Sequence, residues 1–174
     1  KRLKAEGYRV DNLPADAAGL ERILGEQGKV FNEYALGAMA DFVSRNRPEL
    51  IAAADYDRWC AEAFAPEMRA EIDALDGPFP GHGLKDDKGN LALARVSFGN
   101  VVLIPQTAAG IGDDDFKIVH GTDVAPPHNY VAAYLWARYG FKADALMHFG
   151  AHGSLEFTPR NQVALGSRDW PDRL

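Results

Sequence analysis

The stretch of residues 126–150 reads PPHNYVAAYLWARYGFKADALMHFG and gives the strongest indication of the fold. Its first half is apolar on nearly every side, which is typical of a helix buried against a sheet or other helices. Pro126-Pro127 stands where this helix begins and Gly140 where it ends. The following residues, ADALMHFG, predict a short strand. The stretch therefore predicts a βαβ crossover, whose functional loops lie at the carboxyl ends of the strands.

Shorter apolar stretches precede this helix. LALARVSF at 91–98 and NVVLIPQ at 100–106 are rich in β-branched and apolar residues, and FKIVH at 116–120 predicts a further strand. We expect an α/β fold in which a mixed or parallel sheet packs against the buried crossover helix.

Residues 1–76 are predicted to be helical. Asp16 is a candidate N-cap for a run in which Leu20, Ile23 and Leu24 recur at helical spacing. Further helices are predicted to begin near Asn32, Asp55 and Pro66, and Gly77 is expected to close the last of them.

The chain is expected to divide into three parts. Residues 77–90, GPFPGHGLKDDKGN, mix Pro, Gly and charge as connectors do, so 1–76 forms a helical segment and 91–174 an α/β segment. The chain starts without Met inside a helix-like stretch and ends without a terminating signal. We interpret it as a fragment of a larger multidomain protein.

Composition excludes several classes of protein. The net charge is −6 and Lys and Arg form no cluster, which argues against nucleic-acid binding. No apolar run reaches the roughly 18 residues of a transmembrane helix. The single cysteine, Cys60, excludes an internal disulfide and fits a reducing compartment, so a cytoplasmic protein is expected. No GxxxxGK[ST] occurs, so the chain is not expected to bind ATP through a Walker loop.

The densest candidate site is HFGAHGSLE, which places His148, His152 and Glu156 within nine residues. Two glycines argue against a continuous helix, so the three side chains could converge from a strand end, a loop and a short helix. Imidazole and carboxylate groups can ligate a divalent metal or transfer protons near neutral pH. The alternative is structural: a core or rim histidine, a loop hydrogen bond and an acid in the first turn of a helix.

Other histidines and one amide could border the same crevice. His128 follows two prolines at the start of the buried helix, where the helix dipole favours neutral imidazole, available as a ligand or base. His120 ends a predicted strand, and Gln106 follows Pro105 at another. His82 lies in the connector and is expected to be solvated.

The second part of the chain resembles the large subunits of class I tetrapyrrole chelatases: the cobaltochelatase large subunit and the magnesium chelatase H subunit. The resemblance rests on FGNVVLIPQ, APPHNYVAAYLW and ADALMHFGAHGSLEFTPRNQVALGSRDWPDRL, which stand in the family's order and spacing. It is close from about Phe98 to Leu174. It implies ATP-dependent insertion of a divalent metal into a bound tetrapyrrole, with ATP hydrolysed by separate partner subunits. The isolated fragment is then expected to be inactive.

The resemblance also implies roles for individual residues. His148, His152 and Glu156 match the family's HxGxHGxxE and would bind metal or accept protons, with His128 as a further ligand. Substrate contacts are expected from a set of polar and basic side chains: Gln106, His120, His128 and Arg160. Imidazole suits cobalt better than magnesium, so Co²⁺ is the favoured metal and Mg²⁺ or Fe²⁺ the alternatives.

Three short stretches depart from the family's pattern. The family's PQPxRG is PQTAAG at 105–110, its PGK is Pro159-Arg160-Asn161, and its His-Asp pair is His120-Gly121. These departures leave open a divergent paralogue that removes metal from, or acts on, another tetrapyrrole such as haem. The interpretation of the chain as a fragment leaves a second alternative open, a tetrapyrrole-binding or scaffold segment without activity of its own.

Overall fold

The computed structural model describes residues 2–27, 46–107, 124–150, 155, 158 and 166–174. Its helices are α1 (Arg2–Ala5), α2 (Ala17–Gln27), α3 (Ala53–Ala63), α4 (Pro66–Asp76), α5 (His128–Leu135) and α6 (Trp170–Arg173). Helix α5 continues as a π-helical turn over Trp136–Gly140. The strands are β1 (Glu49–Ile51), β2 (Leu91–Leu93), β3 (Val96–Phe98) and β4 (Val101–Leu103).

The predicted helices in the described part of the first segment are confirmed. Asp16 immediately precedes α2, and its carboxylate accepts the backbone N–H of Gly19 at 2.8 Å, as an N-cap does. Pro66 opens α4, and Gly77 follows its last residue with a φ of +78°. Helix α3 begins at Ala53, so Asp55 lies in its first turn rather than at its cap. The helix predicted near Asn32 lies outside the described residues.

The α/β class is confirmed. Where a mixed or parallel sheet was expected, the strands that the structure describes form antiparallel pairs. Strand β1 pairs antiparallel with β2 and β3 antiparallel with β4. Only Gly99-Asn100 separates β3 from β4, and a connection this short can join antiparallel neighbours only. Gly99 has a φ of +69°, and a Cβ there would lie 2.8 Å from the carbonyl oxygen of Arg9.

The strand predicted over residues 143–150 is also wrong, so the described residues contain no βαβ crossover. These residues form neither helix nor strand, and the side chains from Asp144 onward are exposed. An apolar run becomes a strand only where a neighbouring strand supplies hydrogen bonds and a core covers one face. The described strands already pair in two antiparallel sheets, and residues 143–150 join neither.

The main core brings together both halves of the chain around α5. Helix α5 is buried along its length, as predicted, and it packs against α3 and β2. Trp170 of α6 is fully buried and meets Phe64 edge-to-face at 5.4 Å between ring centroids. Strand β1 belongs to the predicted helical segment yet pairs with β2, so the two segments share one sheet.

A second, smaller cluster covers the β3–β4 hairpin. Val10, Val96 and Phe98 are buried there, and apolar residues of α2 pack against them. Residues 77–90 form turns that connect α4 to β2. The division of the chain into domains at this segment stays a prediction. Within the described ranges, no helix has both the length and the apolar character to cross a membrane.

Candidate functional site

His128 is held from three directions at the start of α5. It is fully buried, and its backbone N–H donates to Asp76 Oδ2 at 2.8 Å. Its Nε2 lies 2.9 Å from the carbonyl oxygen of Gly77, and its Nδ1 lies 3.0 Å from the Tyr56 hydroxyl. Because a carbonyl oxygen only accepts hydrogen bonds, we assign the proton to Nε2 and make Nδ1 the acceptor from Tyr56.

Aromatic rings enclose this imidazole. Tyr56 stacks on Phe79 with 4.4 Å between centroids, and His128 meets both rings edge-on, at 5.4 and 5.7 Å. Desolvation by this packing lowers the pKa of His128, although the Gly77 carbonyl and the Asp76 charge oppose the effect. The imidazole is therefore neutral near pH 7, as the sequence predicted, but burial rather than the helix dipole is the main cause.

Both ring nitrogens of His128 thus have partners within the protein. A metal ion could bind either nitrogen only after a buried hydrogen bond is broken, which costs free energy. The geometry accounts for His128 as a residue that anchors α5 to α3 and α4. Its predicted roles as metal ligand and substrate contact stay predictions.

The sequence did not single out Asp76, which connects these elements. Its carboxylate is buried, and Oδ1 accepts the backbone N–H of His82 at 2.9 Å and lies 2.7 Å from His82 Nδ1. A Cβ at Gly81 would lie 2.3 Å from this carboxylate, so only glycine fits there. One signal was available: an acid at the last position of a helix is unfavourable for the dipole and needs another cause.

His82 is therefore not merely solvated, as expected from its place in the connector. Its side chain is 57% exposed, yet its Nδ1 is engaged by a buried carboxylate. That carboxylate is the side chain of Asp76, which also accepts the backbone N–H of His128. The segment 77–83 is thereby fixed against the start of α5.

His148 is presented differently, on an exposed segment. Its Nε2 lies 3.4 Å from the Tyr134 hydroxyl, and the two rings stack with 5.9 Å between centroids. Its neighbours Met147 and Phe149 are 83% and 99% exposed. The imidazole thus lies in sequence between two large apolar residues whose side chains are exposed.

The remaining predicted site residues fall into two groups. Gln106 is exposed, and its amide donates to the carbonyl of Thr107 at 3.4 Å, a local contact. His120, His152, Glu156 and Arg160 lie outside the described residues. Among the residues that are described, no three His, Cys, Asp or Glu side chains group in a way that could hold a metal ion. The convergence of His148, His152 and Glu156 stays a prediction.

A family model and individual known proteins that match the chain agree on one family. The family model for CobN/Magnesium Chelatase matches residues 1–174. The chain is 32% identical over 187 residues to the aerobic cobaltochelatase subunit CobN of Pseudomonas aeruginosa. It is 38% and 32% identical to the magnesium-chelatase subunits H of Cereibacter sphaeroides and Rhodobacter capsulatus, over 172 and 174 residues. Each alignment covers 99% of this chain but 13% of the relative.

Proposed function

Because the chain belongs to the CobN/magnesium chelatase family, we propose that it is part of the large, tetrapyrrole-binding subunit of an ATP-dependent metal chelatase. The chain spans 13% of the length of these relatives, so the activity is proposed for the whole protein. The isolated chain is expected to be inactive alone. ATP hydrolysis is assigned to partner subunits.

One observation carries the proposal: the exposed segment that presents His148 between Met147 and Phe149. A tetrapyrrole has flat apolar faces. The side chains of Met147 and Phe149 are 83% and 99% exposed, so a tetrapyrrole that packs against them would bury apolar surface on both sides. Large apolar residues exposed together mark a binding site more often than isolated ones do.

The imidazole supplies the chemistry that metal insertion needs. Two pyrrole N–H protons must leave the ring, and the metal ion must exchange water for ring nitrogens. A neutral imidazole nitrogen can accept a proton or bind a divalent metal during that exchange. His152 and Glu156, four and eight residues further on, are proposed to complete this set.

The other predicted residues receive supporting roles in the proposal. Arg160, Gln106 and His120 are proposed to contact the carboxylates and polar edge of the tetrapyrrole. His128 is retained as a candidate ligand, although its nitrogens are engaged by Tyr56 and Gly77. The cytoplasm is the proposed location, because Cys60 is a free buried thiol of the kind that a reducing compartment maintains.

Co²⁺ is the proposed metal, because imidazole ligands suit it better than Mg²⁺, which prefers oxygen ligands. A cobaltochelatase subunit and a magnesium-chelatase subunit match the chain at similar identity, so the choice of Co²⁺ over Mg²⁺ rests on this ligand chemistry. Mg²⁺ and Fe²⁺ are the alternatives.

The decisive experiment uses the full-length subunit with its ATPase partners. It is supplied with Co²⁺, Mg²⁺ or Fe²⁺ and with either a porphyrin or a corrin-type precursor, and metallation is followed by the change in visible absorbance. We expect ATP-dependent insertion, fastest with Co²⁺. Absence of insertion for every pair would contradict it.

Metal removal is the second candidate, and the departures at 105–110 and 159–161 favour it, since they change the expected contacts to a standard substrate. Anaerobic incubation of the full-length protein with haem tests it. Metal-free porphyrin would support removal, and unchanged haem would exclude it.

A further inference from the structure

The buried face of α5 that contacts His148 carries a pair of tyrosines. Tyr130 and Tyr134 lie four residues apart, so both point to the same face of the helix. Both are buried, and their hydroxyls lie 3.2 Å apart. From this pair, the hydroxyl of Tyr134 reaches His148.

Two contacts join Tyr134 to the imidazole of His148. The ring of Tyr134 stacks on that of His148 with an interplanar angle of 26°, and its hydroxyl lies 3.4 Å from Nε2. Stacking fixes the plane of the imidazole, and the hydrogen bond fixes its rotation within that plane. Together they determine where Nδ1 points.

The two partners differ in how firmly they are held. Tyr134 belongs to a helix whose residues are buried on nearly all sides, whereas His148 lies in an exposed stretch without helix or strand. A histidine on such a stretch samples several rotamers unless a neighbour restrains it. Histidines that bind metals generally engage their second ring nitrogen with a hydrogen-bonding partner, which fixes the tautomer and the ring orientation.

We propose that Tyr134 is a positioning residue for His148, whose Nε2–H donates to the Tyr134 hydroxyl so that the Nδ1 lone pair is held for the substrate. The Tyr134 hydroxyl in turn donates to the oxygen of Tyr130. This inference rests on the proposed function, because it assumes that His148 acts in metal insertion.

The test uses Tyr134→Phe in the full-length chelatase with its ATPase partners. The variant keeps the stacked ring and removes only the hydroxyl. Loss of a supporting partner of this kind typically costs about 10- to 100-fold. We expect kcat for metal insertion to fall at least tenfold, while KM for the tetrapyrrole stays within about twofold. Tyr139→Phe, a hydroxyl deletion in the π-helical turn, is the matched control and is expected to retain the wild-type kcat.

A second readout reports on His148 without depending on activity. Diethyl pyrocarbonate modifies imidazole nitrogens, and peptide mass spectrometry gives the rate at each histidine. Tyr134→Phe is expected to raise the rate at His148 several-fold, with the rate at His82 as the internal reference and with Tyr139→Phe unchanged.

The outcomes separate the inference from the proposed function. If His148→Ala is inactive and Tyr134→Phe has the wild-type kcat and labelling rate, the positioning role is wrong and the proposed function stands. Equal losses in both Phe variants, with lowered Tm, would show a structural role and also overturn the inference. Full activity of His148→Ala would overturn the proposed function itself.

Discussion

The carboxylate of Asp76 accepts the backbone N–H of His128 at 2.8 Å, across 52 residues of sequence. The same carboxylate binds His82 through both its backbone N–H and its Nδ1. It therefore joins the end of α4, the turn over 77–83 and the start of α5. Because α5 carries Tyr134, and Tyr134 contacts His148, this buried carboxylate supports the helix on which the candidate site depends.

Replacing Asp76 should destabilise the fold. Asp76→Ala removes a buried acceptor and leaves the His128 N–H without its partner. We expect the free energy of unfolding to fall by about 3 kcal/mol, as for other buried charge-assisted networks. Urea titration followed by circular dichroism measures it. Asp87→Ala, at an exposed position of the same connector, is the control and should change stability by less than about 0.5 kcal/mol. Equal effects of the two changes would contradict the role given to Asp76.

The buried imidazole of His128 predicts a direction of pH dependence. Burial lowers its pKa below the ordinary value of about 6.5, which the unfolded chain keeps. Between those two values the unfolded state binds more protons than the folded state, so stability is full above about pH 6.5 and declines as the pH falls toward the folded-state pKa.

The pH dependence is measured as the free energy of unfolding between pH 7.5 and 5 for the wild type and for His128→Gln. Asp73, Asp76, Tyr56 and Arg69 surround the ring in both proteins, so the difference between the curves isolates the imidazole. The variant is expected to be less stable at pH 7.5 and to lose less stability on acidification. Parallel curves would be inconsistent with a buried neutral His128.

Much of this architecture was accessible from local patterns. Helices α2 and α4 follow from Asp16, Pro66 and Gly77, because caps and opening residues act over one turn. The buried character of α5 follows from its continuous apolar composition. These features depend on residues close in sequence, so no tertiary contact is needed to predict them.

The features that were missed depend on contacts between distant segments. Residues 143–150 have the composition of a strand, but whether such a run pairs depends on neighbours that a local pattern does not supply. Strand β1 exists because Glu49 pairs with Leu93 and Ile51 with Leu91. Asp76 looked like an ordinary charged helix residue, since its partners His82 and His128 come from later elements. The contact between Tyr134 and His148 was missed for the same reason, because no local pattern indicates it.

Phe149 provides a test that separates binding from stability. Its side chain is 99% exposed, so Phe149→Ser should change the Tm of the protein little, because exposed side chains contribute little to stability. If the exposed segment receives the tetrapyrrole, the dissociation constant for a porphyrin, measured by Soret titration of the full-length subunit, should rise about tenfold, the range expected for loss of one large apolar contact. Leu3→Ser, at an exposed leucine of α1, should leave the dissociation constant unchanged. An unaltered dissociation constant in Phe149→Ser would show that this segment is not part of the tetrapyrrole-binding surface.

The proposed role of His148 is in metal insertion by a tetrapyrrole chelatase. Its most direct test is the rate of ATP-dependent metallation by the full-length His148→Ala protein, with tetrapyrrole binding measured on the same preparation and His82→Ala as the matched histidine control. We expect metallation to be lost in His148→Ala while the tetrapyrrole still binds, and we expect His82→Ala to insert metal. Metallation at the wild-type rate by His148→Ala would contradict it.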